Sequence, residues 1–106
     1  MAEIKSSAQI VMDFNKARNQ AGKLDEAARS IRRESKRFMQ CRADVVSAWT
    51  GDNATKFASK MGLVSEDLDK IASSLERAAD TIRKNAKTIY DADMEARRIA
   101  EIRTFK

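Results

Sequence analysis

The chain has 106 residues, with no Pro, three Gly and one Cys, and its 21 Lys and Arg against 16 Asp and Glu give it a net charge of +5. This length allows one domain. So few turn residues exclude a β protein, and a lone Cys41 excludes an internal disulfide.

The N-terminus Met1-Ala2-Glu3-Ile4-Lys5-Ser6 lacks the apolar core of a signal peptide. Nowhere is there an apolar run of about 18 residues, so no membrane insertion is expected. Helix 1 is predicted over about 5–47 from apolar and small residues spaced by threes and fours. Its inward positions read as Ala8, Val11, Phe14, Ala17, Ala21, Leu24, Ala28, Ile31, Ser35, Phe38 and Val45. Ile10, Ala27, Met39 and Val46 lie beside that seam. Three successive steps of three at the start disturb the heptad. Arg29, Arg32, Arg33, Lys36 and Arg37 share a face, interrupted by Glu26 and Glu34. This stripe reads as a solvated face, and no nucleic acid is predicted as a partner; the sharper option is a dock for an acidic surface or anionic lipid.

A corner is predicted at 48–53. It holds the only Trp, Trp49, and Gly51, which can take the backbone angles that end a helix. Asp52 or Asn53 can then cap the next helix. Trp49 reads as packing across the corner, with room for part of the indole to face a partner.

Helix 2 is predicted over about 54–96 from a heptad pattern. Met61, Leu68, Leu75, Ile82 and Ile89 recur every seventh residue, and Val64, Ile71, Ala78, Asn85 and Ala92 follow three residues after each. These two series read as the intramolecular seam, with Asn85 setting register. Ala58, Ser65, Ala72, Ala79 and Ala86 border it with short side chains. The tail, 97–106, has a weaker pattern and is predicted to fray.

Two helices of roughly 40 residues are each about 60 Å long and cover only one stripe of one another. The alanine flank then needs a cover. The predicted fold is therefore an all-α antiparallel two-helix hairpin that dimerises into a four-helix bundle, with Ala58, Ala72, Ala79, Ala86, Met61, Leu68, Leu75 and Ile82 at the dimer interface. With no His anywhere, Cys41 has no imidazole base and an inward Glu-x-x-His metal site cannot form. No Gly-rich phosphate loop or Cys cluster occurs either. No enzyme, metal or cofactor is expected.

Trp49-Thr50-Gly51 at mid-chain, followed by Ala54 and Phe57, resembles the WXG family of type VII secretion substrates, typified by the early secretory antigenic target. The likeness covers essentially the whole chain. It implies a hairpin that pairs with itself or a related WXG-like chain. It also implies export without a Sec signal peptide through a membrane ATPase, mainly in Gram-positive bacteria, in virulence or interbacterial competition. The family's tail signal is a Tyr followed four residues later by an acid. Here Tyr90 is followed by Met94 at that place, with acids at Asp91, Asp93 and Glu95. Tyr90, Asp93 and Glu95 are the candidate export signal. The departure raises an alternative role as a helper that binds the N-terminal helical domain of a large LXG-type toxin and escorts it to the export machine.

Overall fold

A computed structural model describes residues 4–104. The described residues form two helices, α1 at Ser7–Ala48 and α2 at Asp52–Thr104. Helix α2 thus runs past the predicted end near 96, with Arg97 and Glu101 paired across one of its last turns (3.3 Å). Residues 105 and 106 of the predicted tail lie outside the described residues.

Contacts divide the chain into two compact units. The corner unit is Leu24–Arg77, and the terminal unit is drawn from Met1–Lys23 and Ala78–Lys106. In the corner unit Arg42 bonds to Ala58, Ser35 to Ser65 and Arg32 to Ser73. Numbers fall on α1 as they rise on α2, so the helices run antiparallel. In the terminal unit Phe14 meets Tyr90 and Lys5 meets Asp93, in the same sense.

The reversal needs only three residues. Trp49 N–H donates to Val45 O (2.9 Å), closing the last turn of α1. Gly51 then takes φ 103°, left-handed backbone in which a Cβ is strained. Its carbonyl accepts from Thr55 N–H (3.2 Å), so Gly51 itself is the N-cap of α2. Asp52 and Asn53, expected as caps, lie inside the first turn. Asp52 still places a carboxylate where the helix dipole favours one.

The seam differs from the predicted one on both helices. On α1 the inward residue of the first turns is Ile10, 1% exposed, while Ala8 and Val11 face out. With Ile10 as origin the inward series becomes 10, 14, 17, 21, 24, 28, 31, 35 and 38, an unbroken alternation of fours and threes. The heptad is therefore undisturbed. On α2 the first predicted series faces inward at Met61, Leu68, Leu75 and Ile82, but its partner series is Ala58, Ser65, Ala72, Ala79 and Ala86. Val64, Ile71, Ala78, Asn85 and Ala92 are all exposed, as is Ile89. Asn85 consequently sets no register within the hairpin.

Packing explains the choice. Ala21 and Ala28 on α1 and Ala72 and Ala79 on α2 are each 0% exposed. Short side chains on both helices let the backbones approach closely, which larger residues would prevent. The expectation that Ala58, Ala72, Ala79 and Ala86 await a second hairpin is corrected. They are covered within the chain, as is Met61, while Leu68, Leu75 and Ile82 are half-buried beside them.

Candidate functional site

Three surfaces carry the candidate residues. The first is the corner. Trp49 is 59% exposed, and its ring lies 6.3 Å from that of Phe57, tilted by 33°. Phe57 is 46% exposed, whereas Ala54 beneath the same turn is buried. The indole thus meets one ring across the corner and leaves most of its surface to solvent. The corner therefore presents a solvent-exposed aromatic pair.

The second surface belongs to the corner unit. Val64 and Ile71, 44% and 49% exposed, stand seven residues apart on α2. On α1, Ile31, Phe38 and Val45 recur at the same interval and are half-buried. Among the described residues, Ile10 is the only large side chain fully buried. The corner unit thus leaves large apolar side chains in solvent.

The other side of the corner unit is charged. Arg32 bonds to Ser73 (3.1 Å) and pairs with Glu76, whose carboxylate raises its guanidinium above the usual arginine value. Arg37 pairs with Glu34 (3.1 Å), and Arg33 donates to Ser30 Oγ (2.9 Å). The predicted basic stripe is therefore partly neutralised by its own neighbours. At its edge, Ser35 and Ser65 hydroxyls meet at 2.7 Å, and Ser35 Oγ also lies 3.3 Å from Ser65 O. When Ser35 donates to the carbonyl, Ser65 donates to Ser35, so both buried hydroxyls are satisfied. An open groove of about 610 Å³ runs beside them between Arg32, Met39 and Ala43 on α1 and Asp69 on α2.

The third surface is the tail, in the terminal unit. Tyr90 is half-buried, its ring 4.9 Å from that of Phe14. Asp93 accepts from Lys5 Nζ at 3.3 Å, and Asp13 sits 3.1 Å from the same ammonium. Those two carboxylates, Asp13 foremost, raise Lys5 above the usual lysine value. Glu95 is clamped by Arg98 (Nε to Oε2, 3.0 Å), and this hydrogen bond lowers its carboxyl below the usual range. So Tyr90 and Asp93 share a site facing α1, while Glu95 points elsewhere and is exposed. Lys5 and Phe14 had no part in the sequence reading of this site. Lys5 and Asp93 are 88 residues apart, and no local pattern could join them.

Among the described residues there is no group of acids or cysteine placed to hold a metal ion, and no helix is long and apolar enough to cross a membrane. The class of protein is thus an all-α helical hairpin with an exposed Trp-x-Gly corner. The particular family follows from comparison: the family described as "proteins of 100 residues with WXG" (WXG100) matches residues 9–94, and the chain belongs to it. Membership implies a non-enzymatic type VII secretion substrate of a kind that typically dimerises. No curated protein and no solved structure matches the chain.

Proposed function

We propose that the protein is exported by a type VII secretion system as a dimer and acts by protein–protein recognition. The observation that carries this reading is the exposed apolar pair of the corner unit, Val64 and Ile71, one heptad apart on one face of α2. A hairpin with so thin a core gains most by laying that face on another helical pair. The partner is a second copy or a related WXG-like chain. The interface is thus the Val64–Ile71 side, in place of the alanine side. Trp49 with Phe57 forms the corner surface read beside the partner's helix ends, and the secretion ATPase is the reader of the assembled dimer. Sedimentation at micromolar concentration tests the dimer. Comparing supernatant with cells, in strains with and without the ATPase, tests the export. A compact, stable monomer, or an unchanged supernatant on loss of the ATPase, overturns the reading.

One observation favours escort of a large LXG-type toxin. Met94 stands where the family signal has an acid, and Tyr90 is turned inward on Phe14. A signal so placed calls for a second chain to complete it. Co-purification of a large helical-domain partner, with loss of that partner's secretion when this chain is deleted, separates escort from independent export.

A further inference from the structure

In the terminal unit the start of α1 is tied to α2. Ser6 Oγ accepts from Gln9 N–H (3.2 Å) and Ser6 O from Ile10 N–H (3.0 Å), which fixes where the chain enters α1. Ile10, 1% exposed, anchors that first turn. The residue just before is thereby delivered to α2. Its ammonium bridges Asp13 and Asp93, and its backbone carbonyl accepts from Arg97 Nη1 (3.4 Å). Lys5 is thus held at both its side chain and its main chain, in the same turns as Tyr90.

We propose that the segment 4–6 is a latch, with Lys5 as its bolt, that closes the Tyr90–Asp93 surface and must open before a partner can read it. This rests on the reading of Tyr90 and Asp93 as the recognised tail. Three observations make the latch one that can open. The bolted groups are partly solvated, at 37% for Lys5, 39% for Asp13 and 28% for Asp93, and ion pairs of that exposure are weak. Arg97, which holds the Lys5 carbonyl through Nη1 at 3.4 Å, also pairs with Glu101 through Nε at 3.3 Å, so it keeps a partner when the latch opens. A cavity of about 200 Å³ already lies between Lys5, Phe14, Ala86, Ile89 and Tyr90, so the tyrosine ring is not packed on every side.

Tyr90 is the only tyrosine, so 3-fluorotyrosine incorporation gives a single ¹⁹F resonance. Lys5→Ala is expected to move that resonance toward free fluorotyrosine and to increase its broadening by a soluble paramagnetic agent about threefold, the effect of losing a weak ion pair. Lys16→Ala, an equal charge change at an exposed lysine of α1, should leave it in place. Lys5→Arg, which keeps a cation between the two carboxylates, should retain the closed signal. In cells, Lys5→Ala should raise the exported fraction by about the same factor. An unmoved resonance in Lys5→Ala overturns the latch. So does a moved resonance without a gain in export, if Tyr90→Ala still lowers export. That second result leaves the reading of the tail standing. Export indifferent to Tyr90→Ala overturns the reading itself, and the latch as a gate falls with it.

Discussion

The two units of the hairpin are held by different chemistry. The corner unit joins its helices mainly through small side chains, a neutral serine pair and one aromatic contact, with Arg32–Glu76 as an ion pair at the edge and Arg42 on the Ala58 carbonyl, and leaves Val64 and Ile71 in solvent. The terminal unit relies on charges and rings: Lys5 between two carboxylates, Phe14 on Tyr90, and Arg18 stacked 5.7 Å above Phe14. The terminal unit also holds most of the excess positive charge. Association through the corner unit should therefore be insensitive to salt, while the terminal unit's contacts should respond to salt and pH. One half is built to stay paired and the other to change.

The strongest way to break that contrast is to charge the apolar face. Val64→Asp with Ile71→Asp should weaken the dimer by at least about 2 kcal/mol, roughly thirtyfold in Kd, with the monomer's helicity retained. Sedimentation alongside circular dichroism checks both. Next, Ala72→Leu should destabilise the hairpin by about 2 kcal/mol through overpacking. Ala78→Leu, on the exposed series, should stay within about 0.5 kcal/mol. Equal melting shifts for the two would mean that the seam is assigned to the wrong series.

Gly51→Ala should cost about 1–2 kcal/mol, because the φ of 103° strains any L side chain although nothing crowds a Cβ there. Urea unfolding measures it. Ser35→Ala should cost about 1 kcal/mol by leaving Ser65 without its partner, and adding Ser65→Ala should recover most of that. A double variant as unstable as the sum of the two singles would count against a mutual pair.

The smallest effect belongs to the terminal unit. Glu95 has its carboxyl lowered by Arg98, so the pair's contribution is present above the usual glutamate value and is lost as pH falls through the depressed one. An NMR titration of the Glu95 carboxyl should show a midpoint below that of the Arg98→Ala variant. Coincident midpoints would remove the pair from the account.

The hairpin was legible because apolar spacing has one period and Gly51 one conformational talent. The face of α2 was not. Two overlapping heptad series share Met61, Leu68, Leu75 and Ile82, and the second partner series can be Val64 and Ile71 or Ser65 and Ala72. Hydrophobicity points to the first, and close approach selects the second. The same trade sets Ile10 against Val11 at the start of α1. At the tail, Tyr90 and Asp93 could be singled out from the sequence. Their engagement could not, because Lys5, Phe14 and Arg97 reach them through the fold alone.

A stripe of alanines repeating every seven residues is a track with many equivalent stops. Slid by one heptad, Ser35 would rest against Ala58 or Ala72 and its hydroxyl would have nothing to hold. The two serines act as a key cut for one position, so the hairpin has a single address at which to lock.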